Sequence, residues 1–435
     1  MSDFFKALFS KRMLITLFMG FSSGLPLLLT MTALQAWMKD EGVDLKTIGL
    51  TALVGLPYTW KFLWAPIFDR YVPPFMGRRR GWLILIQVLL AAAIAGLAMT
   101  QPKDNLMMVA VFALLVTFVS ASQDIVLDAY RREILADNEL GLGSSLFVNG
   151  YRVAMILTSS GALIMADHMS WSTVYFIMAG FVGIGLLTTL IADEPTVSSP
   201  PPKNLKEAIV EPFVDYFKRD YAIWILAFIL FYKLGDTLAS ALATPFYMDI
   251  GFTKTQIGYV VKTFGLTAML FGSFIGGAVV HKIGIYRSLW IFGILQALSI
   301  LPLAFLSQTG PVLSLLMVIV VLENLCFGMG TSAYVAFMSS MTNKRFTATQ
   351  YALLSSLMGV PRVVLSAPTG WLAESTGWFT YYIICALFAI PGLLLLLKIK
   401  KINSDDVNKI RKTTQNGNGD SQGLSVSVAR VDEGN

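Results

Sequence analysis

The stretch WAPIFDRYVPPFMGRRRGW, residues 64–82, separates two long apolar segments, 46–67 and 81–100. Asp69 stands just after the first segment, and three consecutive arginines, Arg78–Arg80, stand just before the second. Lysine and arginine gather in the loops on the cytoplasmic side of membrane proteins. The stretch therefore predicts a short cytoplasmic loop between two membrane-spanning helices.

The composition of this 435-residue chain excludes an ordinary soluble protein. Apolar residues make up 55% and charged residues only 14%, whereas soluble domains carry about 25% charged residues. Apolar stretches of about 20 residues, the length that crosses a hydrocarbon core of roughly 30 Å, recur along the chain. We predict an all-α integral membrane protein with twelve transmembrane helices, at 12–38, 46–67, 81–100, 105–128, 142–166, 171–192, 220–248, 255–280, 287–307, 311–339, 347–373 and 377–399.

The basic residues predict the orientation of these helices. If the N-terminus is cytoplasmic, 24 of the 33 lysines and arginines fall in cytoplasmic segments, four on the other side and five within the spans. Both termini are therefore expected to be cytoplasmic. The formal charge of +6 follows from this topology and requires no nucleic-acid partner. Cys326 and Cys385 lie inside spans, so no disulfide is expected.

The chain repeats itself with an offset of about 210 residues. MKDEGVDLKTIG (38–49) matches MDIGFTKTQIG (248–258) when one residue is dropped, and YRVAMIL (151–157) matches PRVVLSA (361–367). Chance similarity between apolar segments is the alternative, but polar landmarks match as well. Two repeats in the same orientation imply two six-helix bundles related by an axis along the membrane normal. The predicted units are an N-terminal bundle (1–192), a cytoplasmic linker (193–219), a C-terminal bundle (220–402) and a cytoplasmic tail (403–435).

The linker contains an amphipathic pattern, because Leu205, Ile209, Phe213 and Phe217 recur every four residues. This spacing predicts a short helix lying on the inner leaflet. A linker helix that touches nothing is the alternative. The tail from residue 403 is polar and rich in glycine, asparagine and serine, which predicts disorder.

Among the ionisable residues of the predicted spans, nine are candidates for a functional site; the others stand at span ends and are counted with the adjoining loops. Each costs roughly 2.5–3.5 kcal/mol at a helix centre, so nine at mid-depth would cost on the order of 20–30 kcal/mol. Such residues face a bundle interior or a wet cavity and mark functional sites. There are five bases and four acids, so protonation of one acid leaves a positive cavity suited to an anionic ligand. The nine are Lys61, Asp124, Asp128, Arg152, Lys233, Asp236, Lys262, Glu323 and Arg362.

Asp124 and Asp128 follow an apolar run, in the stretch SASQDIVLDAYRRE. Their spacing stacks both side chains on one helix face, about 6 Å apart along the axis. Two carboxylates in a low dielectric do not both ionise easily, so one of them is expected to carry a coupling proton. Asp124 lies deeper and is the better candidate. The alternative for Asp128 is a structural bond to Arg131 or Arg70 at the inner gate.

Other intramembrane charges also have structural alternatives. Lys233 and Asp236 stand three residues apart, as in a local ion pair, and Glu323 has the alternative of a structural bond to a base in its own half. Arg152 and Arg362 occupy equivalent repeat positions, which favours a cavity role. No catalytic residue, metal site or cofactor is predicted. The predicted substrate-binding residues are Gln35, Tyr58, Lys61, Gln123, Asn149, Arg152, Lys233, Asp236, Lys262, Glu323, Asn324 and Arg362.

The loop at 64–82 resembles the signature loop of the major facilitator superfamily, with Asp-Arg, a spacer and Gly-Arg-Arg. A worn counterpart, GGAVVHKIGIYRS (276–288), stands at the equivalent place in the second half. The resemblance implies that the loop latches the two bundles on the cytoplasmic side when the carrier faces outward. Asp69 would then cap or pair near a neighbouring helix end, and the arginines would pair across the bundle interface. The implied gate residues are Asp69, Arg70, Arg78, Arg79, Arg80 and Arg131.

Longer motifs, over roughly residues 1–400, resemble the muropeptide permeases of the AmpG type within that superfamily. The motifs are GFSSGLPL, LQAWM, DLKTIG, KFLWAPIFDRYVPPFMGRRRGW, SASQDIVLDA, YKLGD, ENLCFGMGTSA and ATQYALLS. The resemblance implies a proton-driven importer in the inner membrane of Gram-negative bacteria. Its substrate would be N-acetylglucosaminyl-1,6-anhydro-N-acetylmuramic acid, with or without peptide, taken from periplasm to cytoplasm for peptidoglycan recycling. We expect a monomer that works by alternating access.

Other functions stay open from the residues alone. A carrier for another bulky organic anion, such as acetyl-coenzyme A, is the first alternative, and a proton-driven drug exporter is the second. A membrane enzyme is disfavoured because the chain has only two histidines, His168 and His281, and lacks a convincing Ser/His/Asp set or phosphate-cradling loop. A non-transporting receptor is disfavoured because nine intramembrane charges are a heavy cost for a sensor.

Overall fold

A computed structural model of the chain describes residues 8–43, 47–48, 51–196, 202, 204–219, 221–361, 365 and 368–399. Ten helices in this part of the chain are long and apolar enough to cross a membrane, by length and composition. The first half contains α1 (Lys11–Asp40), α2 (Leu56–Trp60), α3 (Ala65–Arg70), α4 (Arg78–Ala98), α5 (Leu106–Ile134), α6 (Asp137–Ala166) and α7 (Trp171–Ile191). A linker helix, α8 (Leu205–Phe217), follows. The second half contains α9 (Ala222–Ile250), α10 (Gln256–Ile283), α11 (Ile285–Thr309), α12 (Leu313–Ser340), α13 (Thr347–Val360) and α14 (Thr369–Ile399).

Two of the twelve predicted spans are not continuous helices, which accounts for the count of ten. The span at 46–67 consists of short pieces, with 3₁₀ turns at Thr51–Gly55 and Lys61–Leu63 beside α2 and α3. Pro57 and Pro66 stand in the first turns of α2 and α3, where proline is tolerated, but neither can extend a preceding helix.

The predicted span at 347–373 is also interrupted. Helix α13 ends at Val360, before Pro361, and residues 362–364 lie outside the described part of the chain. Helix α14 then contains the end of this predicted span and the whole of the next. It bends at Gly377, whose φ of 76° only glycine adopts readily.

Consecutive spans run in opposite directions, so their connections gather at two faces. We call one the basic face, because Arg78–Arg80 begin α4 there; the other is the opposite face. The connections on the basic face include 71–77, 135–136, 192–196, 284 and 341–346. The connections on the opposite face lie at 41–43, 99–105, 167–170, 251–253 and 310–312.

Irregular backbone recurs in the two halves about 210 residues apart, in support of the predicted repeat. A π-helical turn at Leu29–Ala33 in α1 corresponds to a break at Leu242 in α9. The 3₁₀ turn at Thr51–Gly55 corresponds to a π-helical turn at Val260–Gly265 in α10. Short π segments inside helices are typical of functional sites, so the π-helical turns of α1 and α10 mark candidate functional helices.

A second correspondence lies at the opposite face. The indole nitrogen of Trp171 donates to Asp40 Oδ2 at 2.8 Å, and that of Trp378 donates to Asp249 Oδ2 at 3.1 Å. Each bond ties the end of the first long helix of its half to the last helix, at the start of α7 in the first half and just after the Gly377 bend of α14 in the second. The same tie in both halves also supports the repeat.

Each half has its own hydrophobic core. The residues of one half that join a core cluster of the other half lie near the basic face. One cluster of buried residues runs from Ile15 to Ala192 and includes only Ala348 and Ala352 from the second half. The clusters of the second half receive first-half residues only from the starts of α1 and α6, beginning with Met13 and Leu135. The two halves therefore pack closely at the basic-face ends of their helices.

Glycines permit the closest of these contacts, between α6 and α10. A Cβ atom on Gly277 would lie 2.3 Å from the Cβ of Ser145, and one on Gly141 would lie 2.3 Å from a methyl of Val280. Both distances are below any real contact, so only glycine allows the two backbones to approach in this way.

The predicted linker helix is present as α8, and it does not stand free. Arg345 Nη2 lies 2.6 Å from Glu207 Oε1, and Gln350 Nε2 donates to Asp215 Oδ2 at 2.8 Å. These bonds fasten α8 beside the start of α13, so the alternative of a linker that touches nothing is wrong. The predicted tail at 403–435 lies outside the described residues.

Candidate substrate and coupling site

Helix α5 presents a polar stripe toward the interior of the first half. Ser120, Asp124 and Asp128 recur every four residues and share one face. The second predicted span faces this stripe, because the Tyr58 hydroxyl donates to Ser120 Oγ at 2.9 Å. Lys61, which lies in the 3₁₀ break, is buried beside Asp128. The broken helix thus places a base and a phenol against two carboxylates.

The two aspartates have different partners. Asp128 lies between two bases, 3.0 Å from Arg131 Nη2 and 3.9 Å from Lys61 Nζ. Asp124 instead accepts a hydrogen bond from the Ser23 hydroxyl at 2.5 Å, and no described base lies within 4 Å of its carboxylate. Lys61, Asp124, Asp128 and Arg131 are called the first-half cluster below.

In the second half, Lys233 and Asp236 form the local pair that their spacing allows. Lys233 Nζ lies 3.3 Å from Asp236 Oδ2 and 4.0 Å from the centre of the Phe327 ring. Gln296 Nε2 also donates to Asp236 Oδ2, at 2.6 Å. Both charged side chains are buried, and the pair satisfies both within one turn of α9.

Glu323 on α12 is the third charge of this region. It is half-buried, and no described basic side chain lies within ion-pair distance of it. The groups close enough to interact with it electrostatically include Asp236, Tyr247, Tyr382 and Cys326. The predicted alternative, a bond to a base of the same half, is therefore absent among the described residues. Lys233, Asp236 and Glu323 are called the second-half cluster below.

Helix α6 approaches the second-half cluster at Arg152. Arg152 is close enough to Lys233 to act on it electrostatically across the halves, and its Nη1 lies 3.7 Å from Met155 Sδ. One turn away, the amide oxygen of Asn149 is buried without a hydrogen-bond partner among the described residues. The interior between α6 and α9 is therefore positive and has an unused acceptor.

Other predicted binding residues lie in more structural positions. Gln35 donates to Thr51 Oγ1 at 3.0 Å, and Asn324 donates to the carbonyl of Val320 in its own helix at 2.8 Å. Gln123 is fully buried, and its amide bonds to the backbone and hydroxyl of Ser22. Gln123 therefore joins α1 to α5 and is not accessible to a solute in this conformation.

Two predicted residues cannot be placed. Arg362 and the side chain of Lys262 lie outside the part of the chain that the structure describes. Among the described residues, no group of three or more histidine, cysteine or acidic side chains is arranged to hold a metal ion.

At the basic face, Asp69 caps a helix of the other half. Its carboxylate accepts from the backbone nitrogens of Ala348 and Thr349, at 3.3 and 2.9 Å, and from the Thr349 hydroxyl at 2.8 Å. A carboxylate at a helix N-terminus satisfies free N–H groups and interacts favourably with the helix dipole. Asp69 is fully buried, so it fastens α13 to the end of α3.

The arginines that follow do not reach across the halves, so that expectation is wrong. Arg79 Nη2 lies 2.9 Å from Asp69 and 2.6 Å from Glu133, and Arg78 lies 3.1 Å from the same glutamate. Arg80 donates to the carbonyls that end α7, at residues 189 and 190. Acceptors within the first half satisfy all three guanidinium groups. Asp69 is the residue of this loop that bonds to the second half.

Arg70 also stays within the first half. Its guanidinium lies 5.4 Å from the centre of the Tyr71 ring. It does not bond to Asp128, whose partners are Arg131 and Lys61. Of the two partners considered for Asp128, Arg131 is the one that the structure shows.

Arg131, unlike the arginines of the loop, bonds to the second half. It connects the first-half cluster to that half. The same Nη2 that lies 3.0 Å from Asp128 donates to the Tyr351 hydroxyl at 2.7 Å and to Ser339 Oγ at 3.4 Å. Its guanidinium also lies 4.4 Å from the centre of the Phe147 ring. A buried charge of the first-half cluster is thus bonded directly to the contact that closes the basic face.

Two further bonds join the halves on this face. Ser145 Oγ donates to the carbonyl of Ser273 at 2.6 Å, and His281 Nδ1 lies 2.9 Å from the carbonyl of Asn138. With the bonds of Asp69 and Arg131, these contacts all lie at the basic-face ends of their helices. The described conformation therefore has its basic face closed.

The residues that sequence reasoning missed are the partners of the predicted ones. Glu133 ends the same stretch that holds Asp128, and its position after two arginines is the only signal that it carries. Thr349 and Tyr351 stand in ATQYALLS, a motif recognised for its resemblance but given no role. Ser23 and Gln296 stand among apolar residues and show their role only through their contacts.

Comparison with known proteins identifies the family of this chain. The sequence profile described as "Major Facilitator Superfamily" matches residues 13–364 and, in a second match, 230–426. Anhydromuropeptide permease of Escherichia coli (strain K12) is 45% identical over 398 residues, which cover 91% of this chain and 81% of that protein. "Putative transporter AmpG 4" of Rickettsia felis is 32% identical over 397 residues, covering 88% of this chain and 96% of that protein.

Solved structures share the fold at low identity. The proton:xylose symporter XylE gives a TM-score of 0.69 with 12% identity, over 89% of this chain and 95% of that one. The transporter FucP in its outward conformation gives 0.65 with 12% identity, over 90% and 98%. The predicted fold class is confirmed, and so is the resemblance that the sequence motifs carry. The chain is a multi-pass membrane protein that belongs to the Major Facilitator Superfamily and, within it, to the family of AmpG-type anhydromuropeptide permeases.

Proposed function

We propose that the chain imports anhydro-muropeptides, N-acetylglucosaminyl-1,6-anhydro-N-acetylmuramic acid with or without peptide, from periplasm to cytoplasm across the bacterial inner membrane. The observation that carries the proposal is the 45% identity, over 91% of the chain, to a protein named anhydromuropeptide permease. The chain would serve peptidoglycan recycling as a monomer. Its units are the bundles 1–192 and 220–402, joined by the linker 193–219 and followed by the tail 403–435.

The orientation follows from the basic residues. With 24 of 33 lysines and arginines on the side of the termini, the basic face is cytoplasmic. The closed basic face then makes the described conformation outward-facing. Inward opening requires that Asp69 release the start of α13 and that Arg131 release Tyr351. Alternating access is thus a competition between these bonds and the binding of substrate and protons.

The first-half cluster couples the carrier to protons. Asp124 has a neutral donor and no close base, so it can be charged or neutral without leaving a base unpaired. A proton that passes one turn along α5 to Asp128 removes the charge that holds Arg131. An unpaired buried guanidinium is costly, so protonation weakens the bond between Arg131 and the second half. This route connects proton binding to opening of the basic face.

The substrate lies between the halves, where Arg152 and Lys233 make the interior positive. A muropeptide bears carboxylates, amides and sugar hydroxyls. The bases attract the carboxylates, and the unpartnered amide oxygen of Asn149 and the hydroxyl of Tyr58 are hydrogen-bonding groups for the sugar. These side chains come from both bundles, as a site that opens to each side in turn requires.

Uptake by the purified chain in proteoliposomes tests this function. Labelled anhydro-disaccharide should accumulate inside the vesicles when a proton gradient drives protons in the direction of uptake. No uptake of the disaccharide would contradict the substrate assignment. Uptake that is indifferent to the gradient would contradict the coupling and leave a facilitator.

A further inference from the structure

The second-half cluster contains one acid more than it can neutralise. Asp236 is satisfied by Lys233 at 3.3 Å and by Gln296 at 2.6 Å. Glu323 receives nothing comparable, because no described basic side chain lies within ion-pair distance of it. A half-buried carboxylate inside a membrane bundle is costly unless a cation or a proton compensates it. The carboxylate is therefore open to compensation by a proton or by a cation from outside the described side chains.

The surroundings of Glu323 suit an organic cation. Tyr382 is fully buried, acts electrostatically on Glu323, and has a hydroxyl without a hydrogen-bond partner among the described residues. Tyr247 faces the same carboxylate. The Tyr382 ring packs 4.6 Å from Phe246 and 6.4 Å from Trp378, centre to centre. A carboxylate beside several aromatic rings is the arrangement by which proteins bind ammonium groups, through ion pairing and cation–π attraction.

The charge of the interior changes sign between the two halves. Arg152 on α6 acts on Lys233, Lys233 pairs with Asp236, and Asp236 acts on Glu323. The positive groups thus lie toward α6, and the unpaired negative group lies toward α12. A zwitterionic solute fits this order when its carboxylate points to α6 and its ammonium group points to α12.

We propose that Glu323, with Tyr247 and Tyr382, forms a subsite for a free primary ammonium group on the substrate. The inference rests on the proposed function, and it assigns the ammonium to the peptide portion, since neither acetylated sugar carries a free amine. Substrates with a peptide that bears such an amine gain affinity at this subsite. The bare anhydro-disaccharide does not use it.

Two matched ligands test the subsite in the purified full-length chain. One is an anhydro-disaccharide peptide with a free side-chain amine, and the other is the same molecule with that amine acetylated. The measured quantity is the ratio of their dissociation constants, obtained by titration calorimetry. In the wild type the acetylated ligand should bind about 10-fold more weakly, and in Glu323→Gln the ratio should fall to about one.

Two further variants separate the subsite from a general defect. Glu323→Asp keeps the charge and should keep a ratio above one. Glu374→Gln removes an exposed acid of the same half and should leave the wild-type ratio unchanged. A ratio that is the same in Glu323→Gln and the wild type would overturn the subsite. If the wild type binds neither ligand, nor the bare disaccharide, the proposed function fails first and the subsite fails with it.

Discussion

The two halves of the molecule bury their charges in different ways. In the first-half cluster, Asp128 is held by two bases, and one of these, Arg131, also bonds to Tyr351 of the other half. In the second-half cluster, Lys233 and Asp236 pair within one turn, and Glu323 is left without a base among the described residues. The buried charges of the first half are thus bonded, through Arg131, to a residue that closes the basic face. In the second half, the charge of Glu323 has no such bond to the basic face. This difference is the basis for proposing that coupling lies in the first half and that recognition of an ammonium group lies in the second.

Removal of Asp124, the proposed proton carrier, should have the largest effect. If it has no effect, the proposed division of roles between the two halves is wrong. Asp124→Asn should reduce gradient-driven accumulation to equilibration, because the coupling carboxylate is lost while the Ser23 contact is kept by an isosteric amide. With a gradient of about two pH units and one coupled proton, the wild type can accumulate about 100-fold, since one pH unit is worth about 1.4 kcal/mol. The measurement is the internal-to-external ratio of labelled solute in proteoliposomes.

The matched change in the second half is Glu323→Gln. Its uptake should still respond to the gradient, even where affinity for the substrate falls. If Asp124→Asn accumulates normally and Glu323→Gln does not, the roles of the two halves are reversed.

The next effect concerns the fastening of α13. Asp69→Asn should shift the carrier toward an open basic face, by about 2–3 kcal/mol or 30- to 150-fold, because a charged acceptor is removed from Arg79 and from a helix N-terminus. Spin labels at Asn138→Cys and Lys282→Cys, both exposed on the basic face, report the separation of the halves. Double electron–electron resonance should show a longer distance.

Asp193→Asn provides the control for this shift. Asp193 pairs with Lys11 on the surface at 2.8 Å and is not bonded to the second half. Its removal should not alter the distance between the labels. Equal distances in Asp69→Asn and the wild type would show that the cap does not hold the gate.

A smaller shift is expected from the link between coupling and closure. Arg131→Gln should increase the population with an open basic face about 10-fold. The charged hydrogen bond to Tyr351 is lost, and Asp128 keeps only Lys61. Tyr351→Phe should increase the population with an open basic face about threefold, since a single hydroxyl is removed. Lys233→Gln, the corresponding change in the second half, should not move the labels. A shift from Lys233→Gln as large as that from Arg131→Gln would contradict the comparison.

The smallest effect should come from a closure contact that carries no charge. Ser145→Ala removes one neutral hydrogen bond to the carbonyl of Ser273 and leaves the close approach at Gly277 intact. A change of about 0.5 kcal/mol, or roughly twofold in the open population, is expected. The same label distances measure it. An effect as large as that of Asp69→Asn would mean that closure depends on packing of α6 and α10 more than on charge.

Much of the fold and part of the site could be predicted from the sequence. The spacing of Asp124 and Asp128 placed both on one stripe of α5, and the spacing of Lys233 and Asp236 indicated their ion pair as the alternative to substrate binding, because both arrangements are local to one helix. The broken spans were less predictable. The sequence contains prolines at 57 and 361, but whether a helix continues through a proline depends on neighbours that replace the lost hydrogen bond.

The sequence by itself determined that this is a multi-pass helical membrane protein with charges inside. Long apolar stretches must satisfy their backbone in helices, and ionisable groups within them must face the interior. Only the tertiary structure decided which charges meet. Arg79 bonds to Glu133, 54 positions away, and Asp69 bonds to Thr349, 280 positions away. Such partners depend on how each helix is rotated and on which helices are neighbours, and local spacing carries neither.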